Sequence, residues 1–328
     1  MANYKGIKGF KVQSLASDPS TAVEGQVWYN TAGYALKYTM LATAWTTVNS
    51  MNTTRDELGG AGSATAAVAY GGAPGDGVFG NSTETYDGTS WTTAANLLNA
   101  SAGVKGVGTS TVALRIGGYG GPTGSYKNWT EEWDGTSWTA GGALATARGS
   151  LACFGILTAA TAVGGYSPGY SSAAEEYDGT TWSSETSYPV TFAAAGGAGT
   201  TTAGIVIGGG PGSKTTCNNY DGSTWTEAGS LNTGRQSGVS SGATVPAAQY
   251  SGGAAPPVNV TVTEQYDGST WSEVADMNTV RDEGASNISQ GTQTATFFAG
   301  GHPPAAGTRT DATEEYGPSL ATKTVTVS

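Results

Sequence analysis

The chain has one histidine, two cysteines and few charges: Asp, Glu, Lys and Arg make up 12% of its 328 residues. With His302 as the single imidazole, a copper centre built from several converging histidines is not expected, nor is any other metal or cofactor. Cys153 and Cys217 are too few for a disulfide framework and read as small buried hydrophobes. No apolar run approaches a membrane span, and the start, MANYKGIKGFKV, lacks the apolar stretch of a signal peptide. The expectation is synthesis and folding in a cytoplasm, with neither secretion nor membrane insertion. Basic residues number 14 against 25 acidic ones, and the net charge of −11 repels a phosphate backbone, so nucleic acid is not an expected partner. There is no nucleophile elbow, no phosphate-binding loop with its lysine and no paired-cysteine motif. Nothing positive points to an enzyme.

Glycine, by contrast, is abundant at 52 residues, and sixteen Tyr and nine Trp recur at regular spacing. Glycine richness alone would fit a disordered chain, but regularly spaced aromatics supply surface to bury, so the reading is a folded, β-rich protein. ETYDGTSWT at 84 returns as EEWDGTSWT at 131, EEYDGTTWS at 175, NNYDGSTWT at 218 and EQYDGSTWS at 264. With Trp45 as a degenerate first copy, the Trp positions step by 46, 47, 44, 43 and 46. Gly-Gly pairs that close apolar runs at 71, 117, 164, 208, 252 and 300 keep the same period, as do Arg55, Arg148, Arg235 and Arg281. Three markers at one period identify a repeat protein.

Each unit reads as four short strands: a small Gly/Ala-rich one, an apolar one ending in Gly-Gly, a third ending in Tyr and a fourth starting at Trp. Asp-Gly between the last two signals a hairpin, because both residues tolerate positive φ. A period in the mid-forties with four strands fits a β-propeller blade, whose inner strand must be small near the axis. The aromatics Tyr86, Trp91, Trp133, Trp138, Tyr177, Trp182, Tyr220, Trp225, Tyr266, Trp271 and Tyr316 are then structural, buried between blades.

Gly-Gly, then Tyr, then Trp, with Arg before the next unit, resembles the kelch repeat over residues 50 to 316. Arg is replaced around Ala102 and Phe192, and Trp133 stands in for one Tyr. The resemblance implies an all-β propeller of four-stranded blades with a binding function. Residues 50–328 supply six units, the last lacking its Trp (Leu320) and using KTVTVS as a fourth strand. Residues 1–49 supply a further blade from IKGFKVQSL, QVWYN, ALKY and AWTTV, which makes seven. Alternatively they form a separate β adaptor, because EGQVWYN to AWTTV resembles a module of bacteriophage fibre proteins.

The Tyr-Asp-Gly box resembles the Asp-box of sialidases only in part, since Asp and Gly are adjacent here. The four arginines are repeat-equivalent and read as strand caps bonding neighbouring carbonyls. Glu84, Glu131, Glu175, Glu264 and Glu314 also recur, with Asn218 breaking the series, and read as solvated strand-edge residues. His302 reads as an exposed loop residue. The variable segments are the connections between second and third strands, which share a face with the arginine-bearing links. They carry Phe79, Tyr119, Tyr126, Trp129, Tyr166, Tyr170 and His302, the candidate ligand-binding residues.

YKGIKGFKVQSLASDP followed by EGQVWYN, ahead of low-complexity blades, resembles virion proteins of tailed bacteriophages of the marine and cyanobacterial type. That resemblance implies a non-enzymatic virion component, such as a tail-fibre or tail-tip propeller that touches a host glycan or protein and contacts other virion proteins. The alternatives are a capsid decoration or tail assembly piece, and a surface-polysaccharide depolymerase, which would need an acid pair beside exposed aromatics.

Overall fold

In a computed structural model, which describes residues 12–121, 123–286, 288, 290–304 and 308–325, each Tyr-Asp-Gly box folds as a hairpin corner. In the first, Thr83–Tyr86 pairs antiparallel with Trp91–Ala94, and Tyr86 lies opposite Trp91. Asp87 Oδ1 accepts the backbone N–H groups of Thr89 at 2.8 Å and Ser90 at 2.7 Å, and Gly88 takes a φ of 88°. Asp134, Asp178, Asp221 and Asp267 repeat the arrangement. Only the glycine of each pair has positive φ; the aspartate caps the loop, which is longer than a two-residue turn. Those backbone hydrogen bonds hold the exposed carboxyls of Asp87 and Asp178 below the usual carboxylate range.

The corners belong to five four-stranded antiparallel sheets. The first sheet runs Gly59–Ser63, Ala66–Tyr70, Thr83–Tyr86, Trp91–Ala94, and the other four keep this order. The architecture is all-β and propeller-like, with one short 3₁₀ turn, Val245–Ala247, among the described residues. Among the described residues, no helix is long and apolar enough to cross a membrane. The first strands are small because neighbouring backbones and side chains crowd them. A Cβ at Gly106 would overlap Tyr70 Oη and the Leu114 carbonyl, and one at Gly197 would meet the Cys153 carbonyl. Both cysteines are buried free thiols, and burial pushes each up to about 12.

Within each corner the two rings pack against each other, stacked in three corners and tilted in the second and third: centroids lie 4.9 Å apart for Tyr86–Trp91, 5.3 Å for Trp133–Trp138, 5.0 Å for Tyr177–Trp182, 4.5 Å for Tyr220–Trp225 and 5.1 Å for Tyr266–Trp271. The indoles also stitch adjacent units. Trp138 Nε1 donates to Thr83 Oγ1 at 2.9 Å, Trp182 to Thr130 at 3.1 Å and Trp91 to Thr313 at 3.1 Å. Trp182 and Trp225 are half-buried, whereas Trp133 is almost fully enclosed.

Two compact units are distinguished: Met1–Ala44 with Pro318–Ser328, and Trp45–Gly317. In the small one, Gln13–Leu15 pairs in parallel with Val27–Asn30, which pairs antiparallel with the start of Ala35–Val48. Asp18 organises it, accepting from Trp28 Nε1 at 3.1 Å and Asn30 Nδ2 at 2.7 Å and pairing with Lys37 at 2.7 Å. The expected succession of separate strands here does not occur. ALKY and AWTTV lie on one strand, Ala35–Val48, and the pairing of the first two strands is parallel. In the large unit, Thr296–Ala299 pairs antiparallel with residues 313–316. Trp45 meets Tyr316 at 5.6 Å and donates from Nε1 to Thr263 Oγ1 at 3.0 Å. Residue 45 thus supplies the Trp that Leu320 lacks. Tyr316 and residues 323–324 of KTVTVS share one strand, so that segment is not an antiparallel fourth strand, and its last three residues lie outside the described ones.

The recurrent glutamates are not solvated edge residues. Glu84, Glu175, Glu264 and Glu314 are buried and pair with Arg55, Arg148, Arg235 and Arg281; three of the distances are 3.2 Å (Arg55), 2.6 Å (Arg148) and 3.1 Å (Arg281). The arginines also bond carbonyls, Arg55 to Gly71 at 3.0 Å and Arg281 to Ala312 at 2.7 Å and Phe298 at 3.0 Å. Arg235 and Arg281 lie over the rings of Tyr250 and Phe298. The other carboxylate oxygen accepts the backbone N–H of Asn52 (2.6 Å), Ala145, Asn232 or Asn278 (each 2.7 Å). Burial alone would make these charges costly, and pairing with extra hydrogen bonds offsets that cost. In the second unit the guanidinium comes from Arg115 on a different strand, bonded to the Trp129 carbonyl at 3.0 Å and to Ser101 Oγ. In the fourth unit both charges are absent: Phe192 replaces Arg, and Asn218 replaces Glu and accepts from Tyr188 Oη at 2.8 Å.

Glu264→Gln, which strands Arg235 in the interior, is expected to cost about 3–5 kcal/mol in denaturant unfolding. The double change Arg235→Phe with Glu264→Asn, copying the fourth unit, is expected to cost clearly less than Glu264→Gln alone; an equal loss would refute the pairing as the cause. Trp133→Ala is expected to cost about 3–5 kcal/mol, and Trp182→Ala, half-exposed, a smaller amount by the same measurement.

Candidate functional site

The segment that enters each unit pairs with the residues following that unit's Gly-Gly, in bridges Asp56–Ala73, Gly149–Tyr166, Ala193–Gly210, Gln236–Ala254 and Asp282–His302 and, in the second unit, in the strand pairing of Ala102 with Tyr119. These bridges set the long second-to-third-strand loops and the arginine-bearing links side by side on one face. Just after each bridge the chain adopts a left-handed conformation at Glu57, Gly103, Ser150, Ala194, Ser237 and Glu283, with φ between 50° and 62°. Five of the six are not glycine, so the surroundings hold them there. A run of backbone hydrogen bonds joins them from unit to unit. Glu57 N donates to Glu283 O, Glu283 N to Ser237 O, Ser237 N to Ala194 O, Ala194 N to Ser150 O and Ser150 N to Gly103 O, at 2.7–2.9 Å.

This run surrounds a cavity of about 50 Å³ lined by Glu57, Lys105, Ser150, Ser237 and Glu283 among others. That volume holds more than one water. Burial, with the like charges of Glu283 and Asp56, pushes the Glu57 carboxyl up to about 8. Burial and Asp56 raise Glu283 too, while burial lowers the Lys105 ammonium against the pull of Cys153, Glu283, Glu57 and Asp282. Arg309 pairs with Asp56 at 3.2 Å and with Asp76 at 2.6 Å.

From this cavity a row of rings crosses the loop face. Tyr119 Oη donates to Glu57 Oε2. Tyr119 contacts Phe79 at 5.6 Å and Tyr126 at 5.7 Å, Tyr126 contacts Tyr166 at 5.6 Å, and Tyr166 contacts Tyr170 at 5.2 Å. Loops of three consecutive units contribute, and a short hairpin places Tyr119 opposite Tyr126. Tyr170 is 43% exposed and the other four are partly exposed. The structure therefore brings Phe79, Tyr119, Tyr126, Tyr166 and Tyr170 into one contiguous row. Trp129 stands outside it, with Lys127 Nζ 5.0 Å and Arg115 5.7 Å from its ring. His302 also lies apart, half-buried beside Asp282 rather than free in solvent.

The acidic residues at the axis were not among the sequence candidates. Their signal is the tripeptide Arg-Asp-Glu, present at 55–57 and again at 281–283, in two units that meet through Glu57 and Glu283. Among the described residues, no three His, Cys, Asp or Glu side chains gather as a metal site.

Comparison with known proteins yields no matching protein family and no matching curated protein. Among solved structures the chain is similar to one described as "Structure of YjhT", with a TM-score of 0.68 at 13% identity over 84% of this chain and 99% of that one. At that identity the likeness concerns the fold alone.

The folded chain holds the Glu57 proton to about pH 8, whereas the same carboxyl in an unfolded chain releases it near 4.5. Between those limits the folded state binds the extra proton, so stability falls as pH rises through the window. Glu57→Gln is expected to flatten the decline in melting temperature between pH 5 and pH 9; an unchanged slope would assign that decline to other groups.

Proposed function

We propose that the protein is a non-enzymatic binding module, a kelch-like propeller whose loop face engages a glycan or protein of a host surface. On this reading it is a virion component of a tailed bacteriophage, mounted on other virion proteins at a tail fibre or tail tip, as the N-terminal resemblance implies. The blade count that fits best is six. Residues 45–48 serve as the outer strand of the last blade, because Trp45 takes toward Tyr316 and Thr263 the places that the other tryptophans take. Residues 1–44 then act as a separate attachment module.

The observation that carries the reading is the row Phe79, Tyr119, Tyr126, Tyr166 and Tyr170. Rigid, partly exposed rings with hydroxyl edges stack on sugar faces and aliphatic patches at low entropic cost. The depolymerase reading draws on a different observation, the carboxyls of Glu57 and Glu283 at the end of that row.

Replacing Tyr126 and Tyr166 together by Ala is expected to weaken adsorption of the purified protein to host cells, or to their isolated surface glycan, at least about tenfold. Melting is expected to stay within about 4 °C of the parent. Undiminished adsorption would remove the loop face as the contact, and a cryo-EM map with that face buried against other subunits would make the loops assembly contacts. Release of oligosaccharide that Glu57→Gln abolishes would establish the depolymerase instead.

A further inference from the structure

Away from the ring row, the loops of the last two repeats enclose a cleft of about 640 Å³. Pro257, Val258, Val280 and Pro304 form its apolar walls, and Asn259, Asp282 and His302 are its polar lining. The size and the mix of walls suit a small ligand with one polar end. Asp282 and His302 are fixed side by side by a two-way backbone bridge, Asp282 N to His302 O at 3.2 Å and His302 N to Asp282 O at 2.8 Å. The Asn259 amide is held there as well, donating to the His302 carbonyl at 3.4 Å.

Asp282 is the unusual member. It is 7% exposed, and among the described residues its Oδ1 has no hydrogen-bond partner. His302 Nδ1 lies 3.8 Å away, beyond hydrogen-bond range. Of the other charges that act on Asp282, Glu283 and Asp56 have its own sign and the buried Lys105 the opposite one, and the Asn259 side chain is a neutral donor to the carboxyl. A buried carboxylate oxygen without a donor is costly, and the missing complement is a cationic N–H donor. The four apolar walls call for an aliphatic stem behind that donor.

We propose that this cleft binds a primary ammonium group on an aliphatic stem, with the ammonium pairing with the Asp282 carboxylate and the stem lying against Val258, Val280 and the prolines. This goes beyond the host-contact reading and does not depend on it, because no ring of the aromatic row lines the cleft. The chemistry belongs equally to a lysine side chain of a partner protein and to a free polyamine.

The test uses the full chain and n-butylammonium chloride as probe, with 1-butanol as the neutral control. Calorimetric titration at pH 8.5 is expected to show saturable one-site binding of butylammonium, several-fold weaker binding of methylammonium and none of butanol. The chain has a single histidine, so the imidazole NMR signals of His302 report the location without ambiguity and are expected to shift on titration. Burial, together with Glu283 and Asp56, pushes the Asp282 carboxyl up to about 7. The binding-competent carboxylate forms as pH rises through that value, so affinity at pH 5.5 is expected to be roughly tenfold or more below that at pH 8.5. His302→Gln is expected to keep this pH dependence, and Asp282→Asn to abolish binding. Equal binding of butanol and butylammonium, unmoved His302 signals, or binding that Asp282→Asn leaves intact would each overturn the proposal. The butanol and NMR arms use the parent protein, so they decide the matter even if Asp282→Asn fails to fold. Nα-acetyl-lysine N-methylamide binding as tightly as butylammonium would identify a lysine side chain as the ligand; binding only by putrescine and butylammonium would identify a free polyamine.

Discussion

The buried pair between an entering arginine and a third-strand glutamate is the constraint from which the rest of the large unit follows. A guanidinium with almost no exposure has to satisfy its donors inside the protein. Here the donors reach the carbonyls beside the Gly-Gly turn and a carboxylate on the third strand, while that carboxylate's second oxygen holds the backbone of the approach segment. One ion pair therefore fixes the entry link, the end of the second strand and the start of the third relative to one another. The left-handed residues at the axis and the roots of the long loops inherit their positions from it.

The exceptions support this view. Where the entering arginine is missing, at Ala102, a guanidinium arrives from Arg115 on the neighbouring strand and still bonds the carbonyl of the third-strand approach. Where both ions are missing, at Phe192 and Asn218, a ring and a tyrosine–amide hydrogen bond fill the space. The interior tolerates a complete pair or a neutral substitute, and no unit keeps half of the ion pair without another buried charge nearby. Electrostatics inside a low-dielectric core impose that rule.

The proposed function draws on what this frame presents. On one face it gathers loops of unequal length whose aromatic residues touch in sequence, and at the axis it crowds carboxyls that burial and mutual repulsion turn into proton-holding groups. The glycines and alanines of the inner strands make this possible, because any larger side chain there would push the units apart and separate the rings.

The period, the four-strand unit and the hairpin corner were legible in the sequence, since each rests on local chemistry: Asp-Gly turns, Gly-Gly strand ends and a Tyr-Trp pair a few residues apart. The ring-bearing loops were legible for the same reason, as variable Gly/Pro-rich insertions carrying Tyr and Phe. The role of the glutamates was not, because solvation and burial of a strand-end carboxylate look alike until its partner, about thirty residues away, is placed. Arg-Asp-Glu was readable as a repeated tripeptide, but its meeting at the axis depends on first and last repeats becoming neighbours. The place of Trp45 beside Tyr316 was beyond sequence for the same reason. Local patterns determine which residues fold into a unit, and only the circuit of the chain decides which distant ends meet and which charges they leave facing one another.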